Sequence, residues 1–161
     1  MPKIIPFLWF DGNAEEAANF YTSIFKNAKI GSISRYSEDG AKVAGRPKGS
    51  AMVVTFQLSG QEFMALNGGP QFKFTEAISF MVNCETQPEV DEVWEKLSQG
   101  GKKGRCGWLK DRFGVSWQVV PTALARLMSS RDPQRSGRVM QALMKMDKII
   151  ISDLQRAYDN P

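Results

Sequence analysis

One succession of elements, strand then helix then strands, is written twice along this chain. Nothing else in the sequence restricts its fold as much. Displacing the first half by 73 residues lays Phe7 on Phe80 and Leu8 on Met81. The helix starts coincide, with Asn13 on Thr86 and Glu16 on Glu89. So do the apolar positions that follow: Ala17, Phe20, Tyr21 and Ile24 fall on Val90, Val93, Trp94 and Leu97. That spacing is one face of an α-helix. After Lys29 and Lys102 the first half carries extra residues, and the match resumes with Gly60 on Gly114, Phe63 on Trp117 and Met64 on Gln118. The agreement is one of pattern more than identity, and duplicated βαβββ units are its simplest account. The fold class expected is α+β: two tandem βαβββ modules, each a curved sheet with a helix outside, forming a half-open barrel with a cleft. A short helical C-terminal tail completes it. Module one takes about residues 3–70, module two about 76–121 and the tail about 122–158, within one domain of 161 residues.

The local signals fit this plan. Residues 3–10 are an apolar run of strand length that Asp11-Gly12 breaks. Asn13 with Glu16 resembles a capping box, and Thr86 with Glu89 makes a full one. Residues 37–50 mix glycines and a proline with charged side chains, which reads as a loop long enough to act as a lid. Residues 51–58 and 62–66 form a hairpin through Ser59-Gly60-Gln61, and Asn67-Gly68-Gly69-Pro70 stops it. A second hairpin spans residues 106–121, with a charged turn at 111–114 that reads as solvated. Three short helices are expected after Pro121, broken near Asp132-Pro133 and near Ser152.

Composition narrows the chemistry. The chain has no histidine. That removes the commonest metal ligand and the commonest base near neutral pH, and excludes histidine-dependent triads. Cys84 and Cys106 form no CxxC pair and read as buried free thiols in a reducing cytoplasm. A net charge of +4 aids solubility but, without an aromatic-rich RNA motif or helix-turn-helix, does not make a nucleic-acid binder. No signal peptide and no apolar stretch of membrane-spanning length is read, so a cytoplasmic protein without membrane or nucleic-acid partners is expected.

Four motifs in order carry a family resemblance: NFYTSIF at 19–25, LNGGP at 66–70, FKFTEAISF at 72–80 and CGWLKDRFGVSWQVVP at 106–121. Together they resemble the PhnB-like, 3-demethylubiquinone-9 3-methyltransferase-like branch of the vicinal oxygen chelate (glyoxalase/bleomycin-resistance) superfamily, over about residues 3–158. The resemblance implies paired βαβββ modules and a homodimer, often with strands exchanged between subunits. It also implies a cleft in which classical members hold a divalent metal with His and Glu. Those ligand positions fall near Pro6, Met64, Ser79 and Gln118 here. Only Gln118 has a suitable donor, and a lone amide oxygen does not hold a transition metal. Nor is there a strand–GxGxG–helix segment for S-adenosylmethionine, since Gly68-Gly69-Pro70 precedes a strand. No metal and no cofactor are therefore expected.

The expected function is small-molecule binding in an aromatic, metal-free cleft. Trp9, Trp108 and Trp117 are candidates for its wall, and Gln118 and Asn67 for its polar anchors. Core packing is the competing reading of the tryptophans, and a structural turn that of Asn67. The competing reading of Gln118 is a satisfied polar residue in a hydrogen-bond network at a dimer seam. No catalytic residue is assigned. An enzyme of the same superfamily with Glu62 or Glu76 as base is the alternative. A structural dimer using the basic cluster Lys102, Lys103, Arg105, Lys110 and Arg112 is a third reading.

Overall fold

A computed structural model describes residues 2–160. The chain divides into two compact units, residues 1–74 and 75–161. Each contains one βαβββ module, and each module folds into a four-stranded mixed sheet.

In the first unit β1 (Phe7–Phe10) leads into α1 (Ala14–Ile24) and β2 (Lys29–Arg35). A short helix, α2 (Glu38–Ala44), precedes β3 (Ala51–Leu58) and β4 (Gln61–Asn67). The strand order is β1-β4-β3-β2, with β1 parallel to β4 and the other pairs antiparallel. One face of this sheet is covered by α1, because three alanines, Ala14, Ala17 and Ala18, let the helix lie close. Tyr21, Phe56 and Phe63 then stack in series, with centroids 6.0 and 5.3 Å apart.

Residues 37–50 are a folded excursion rather than a loop. The Ser37 side chain caps α2 by accepting from Gly40 N, and Gly45 ends the helix in the left-handed conformation. Its two ends are joined, since Tyr36 N donates to Ser50 O and Gly49 N to Tyr36 O. The capping expected at Asn13 is also absent. Its side chain makes no cap bond, and Ala14 N donates instead to Asn67 Oδ1, 53 residues on.

The second unit repeats the topology. β5 (Ser79–Cys84), α3 (Gln87–Ser98), β6 (Lys102–Lys103), β7 (Trp108–Lys110) and β8 (Ser116–Pro121) give the order β5-β8-β7-β6. Here the capping box is local. Glu89 N donates to Thr86 Oγ1, and Glu85 N donates to the Glu89 carboxylate. Val90, Trp94 and Leu97 bury against Leu109, Trp117 and Val119.

The 73-residue displacement holds for the helices and slips by one residue in the first strands. Leu8 is buried while Met81 is 56% exposed, so the two lie on opposite faces. Pairing gives the true equivalence. Phe7 partners Met64, and Met81 partners Gln118, so Phe7 matches Met81, a displacement of 74. The strand-to-helix connection is one residue shorter in the second unit: Asp11 and Gly12 separate Phe10 from Asn13, and Glu85 alone separates Cys84 from Thr86. The hairpin glycines Gly60 and Gly114 do coincide, both in the left-handed region at φ 87° and 89°.

Three helices follow: α4 (Thr122–Met128), α5 (Pro133–Leu143) and α6 (Ile151–Asp159). The second break precedes Ile151, so Ser152 lies inside α6. Leu127, Val139, Leu143, Ile149 and Leu154 form their shared core. The tail joins the module at the corner before β7, where Cys106 N donates to Met146 O and Gly107 N to Asp147 O. Lys148 pairs with Asp91 of α3 at 2.7 Å, and Gln87 bonds the backbone of Ile149 and Ile151.

Candidate functional site

Side chains paired across a sheet share a face, and neighbours along a strand point to opposite faces. The register of the second sheet therefore sorts its residues without ambiguity. On the face away from α3, Ser79, Ser116, Lys110 and Lys102 form one row across the four strands. Met81, Gln118 and Trp108 form the next. Gln118 Nε2 donates to Ser79 Oγ at 2.9 Å, tying the two rows together.

A groove of about 230 Å³ opens beside these rows, with Trp108, Ser116, Lys110, Lys102 and Glu76 among its lining residues. Lys110 donates to Glu76, whose carboxyl is held below its ordinary range by that hydrogen bond first, with further help from the Lys110 and Lys102 charges. A depressed carboxylate is a poor base near neutral pH. Glu62 lies on the first sheet, paired with Gln57. Ser116 is 2% exposed, and its hydroxyl has no hydrogen-bond partner among the described residues.

The five residues expected to contact a ligand separate into different settings. Trp108 and Gln118 are brought side by side on the open face. Trp117 points the other way, 3% exposed beneath α3, with Nε1 donating to Asp111 Oδ2 at 2.8 Å. Trp9 lies on the open face of the first sheet. Its Nε1 donates to Gly69 O, and its ring meets Phe72 edge-on at 4.9 Å. A Cβ on Gly68 would fall 2.2 Å from that ring, so glycine is required there. Asn67 is 3% exposed, and its side chain is engaged on both sides: Oδ1 accepts from Ala14 N, and Nδ2 donates to Ala51 O. Tyr36 Oη also donates to Asn67 O at 2.6 Å. Asn67 is thus an internal clamp.

Asp111 belongs to the same class of interior residue. Its turn is solvated at Arg112, which is exposed, but not at Asp111, which is 3% exposed and accepts from Phe113 N and Val115 N as well as Trp117 Nε1. The thiol of Cys84 is buried, which pushes its pKa up to about 11, with the Glu89 and Glu85 charges adding to the shift. Cys106 is half-buried, and its Sγ lies 3.5 Å from Leu143 O. Ser116 is a site residue that the sequence did not single out. Its position two before Gln118 on an alternating strand was the available signal.

Among the described residues no group of three or more His, Cys, Asp or Glu side chains could hold a metal ion. The open face offers hydroxyls, an amide and a single carboxylate already bound to lysine, which do not fit a divalent transition metal. Gly68-Gly69-Pro70 leads into a turn, not a helix, and does not fit S-adenosylmethionine as a glycine-rich strand–helix turn would. No helix of the described residues is long and apolar enough to cross a membrane.

The sequence matches the family described as 3-demethylubiquinone-9 3-methyltransferase over residues 2–120. The helical tail, which the sequence resemblance takes in, lies outside that match. The PhnB protein of Bacillus cereus, a candidate 3-demethylubiquinone-9 3-methyltransferase, is 44% identical, with a TM-score of 0.67. The match covers 75% of this chain and 100% of that one. A Pseudomonas aeruginosa protein at 21% identity has a TM-score of 0.61 over 75% of this chain and 98% of its own. The fosfomycin resistance protein FosX of Listeria monocytogenes shares the fold at 16% identity, with a TM-score of 0.53 over 78% and 94% of the two chains. No curated protein matches the sequence.

Proposed function

The chain belongs to the PhnB-like 3-demethylubiquinone-9 3-methyltransferase family, with the glyoxalase fold, and on that premise we propose that it binds a small organic molecule without the help of a metal. The open face of the second sheet is the binding surface, with Trp108 supplying a flat apolar contact and Gln118 a polar anchor. The observation that carries this reading is their adjacency across β7 and β8, beside a groove. Mostly apolar walls with a few placed polar groups are what small-molecule sites are made of. Gln118 uses Nε2 on Ser79, and its Oε1 makes no hydrogen bond among the described residues, so an incoming donor has a fixed acceptor to meet.

The family's name favours a second reading, an enzyme of group-transfer type. Calorimetry with S-adenosylmethionine and with Mn²⁺ decides between the two: heat of binding from either, coupled to turnover, would replace the binder by the enzyme. For the binder itself the measurement is a fragment screen by ¹⁵N NMR, reading the Trp108 indole and the Gln118 side-chain amide. Hits that move those two signals together are expected. Hits confined to other surfaces would sink the reading. A homodimer, proposed from the family resemblance alone, is checked by sedimentation of the purified chain.

A further inference from the structure

We infer that the molecule bound on the second module's open face is an organic anion with a flat apolar body, a carboxylate held between Lys102 and Lys110 with its body on Trp108. This deepens the binding reading above and rests on it.

Charge is the first observation. Lys102 and Lys110 are direct antiparallel partners, so two lysine side chains leave the sheet from neighbouring positions on one face. Like charges placed opposite each other repel. One carboxylate, Glu76, serves both of them: it bonds Lys110 and only feels the charge of Lys102. Lys103, on the other face, has its own partner in Glu95 at 2.8 Å. The groove therefore carries one positive charge more than its acid residues answer.

The second observation is independent. Buried hydroxyls in folded proteins are almost always hydrogen-bonded, and an orphan needs a reason. Ser116 is such an orphan, and it lies in the row between Ser79 and Lys110, lining the same groove. A carboxylate that draws the Lys110 ammonium away from Glu76 brings an acceptor to the Ser116 hydroxyl. The third is shape. Trp108 is half-buried one row away, leaving part of a flat ring beside the two lysines. Charge, unmatched donor and aromatic plane meet within one groove, and a flat carboxylate answers all three.

The test uses a matched pair, 2-naphthoate and 2-naphthamide, which differ in charge and little in shape. Binding to the full chain is followed at the Trp108 indole signal, assigned with Trp108→Phe. Naphthoate is expected to bind about tenfold tighter than naphthamide at low salt, as charge-assisted bonds are stronger than neutral ones, and to lose that margin as salt rises. Lys102→Gln should remove most of the margin. Glu76→Gln should widen it, because it frees Lys110, and a purely structural role for Glu76 predicts no such gain. Ser116→Ala should weaken naphthoate while raising the melting temperature. Equal affinity of the two probes at Trp108 overturns the anion inference and leaves the binding reading intact. Failure of both probes to move Trp108 or Gln118 also overturns it, and the fragment screen then decides separately whether this face binds anything.

Discussion

Asp111 accepts two backbone N–H groups and one indole N–H in the interior of a hairpin turn. Asp111→Ala removes the carboxylate acceptor of all three donors, and we expect a loss of about 3 kcal/mol in urea unfolding. Asp111→Asn should cost less, since Oδ1 can still serve the backbone while its amide faces the Trp117 N–H as donor against donor. Cys84 sets a pH dependence. Its thiol titrates near 9 when exposed and at about 11 when folded, so the folded state keeps a proton that the unfolded chain gives up. The associated stability is full below pH 9 and is lost as pH climbs to 11. The difference in melting temperature between the native protein and Cys84→Ala should change across that window and stay flat below it. At this scale the sequence was only partly legible. Trp117 and Gln118 are adjacent on one strand, so they cannot both face a ligand. The alternation was visible, but which of the two was buried depended on the partner strands. Asp111 looked like an ordinary turn residue because its third partner, an indole six positions on, becomes visible only once the hairpin closes.

The helices were the most readable elements, because a 3.6-residue period over three turns has few competitors. Strands β1 and β5 were harder. Continuous apolar residues such as FLWF show no alternation, so a slip of one residue went unsignalled and only pairing fixed it. Residues 37–50 concealed a helix because their glycines suggested a loop. Gly45 instead marks the helix end, and Ser37 supplies the cap. For α1 the cap comes from another element altogether. Asn67→Ala removes the acceptor of Ala14 N and strands Ala51 O, for an expected loss of about 2–3 kcal/mol. Amide exchange in the first turn of α1 should accelerate the most. Thr86→Ala in α3 should cost about 1 kcal/mol, as ordinary caps do.

For the molecule as a whole, the family match ends at residue 120, and the Bacillus cereus relative is covered over its full length by 75% of this chain. The modules are thus a complete set without the tail. Truncation after Pro121 should leave a folded protein with unchanged exchange protection in the first unit. The amides of Cys106 and Gly107 lose their acceptors Met146 O and Asp147 O, and should exchange at least about tenfold faster. Global unfolding on truncation would show that the tail is an obligatory part of the second unit's core.

The different caps of α1 and α3 give the two copies of one topology different folding histories. The Thr86–Glu89 box closes within five residues and needs nothing beyond its own turn, so it can form while the chain is still largely unfolded. The first turn of α1 waits for β4 to return from 53 residues away. Substitution at Thr86 should slow refolding, whereas substitution at Asn67 should leave the refolding rate nearly untouched and speed unfolding. The duplicated unit would then acquire its structure in the reverse of chain order, the second copy's helix ahead of the first.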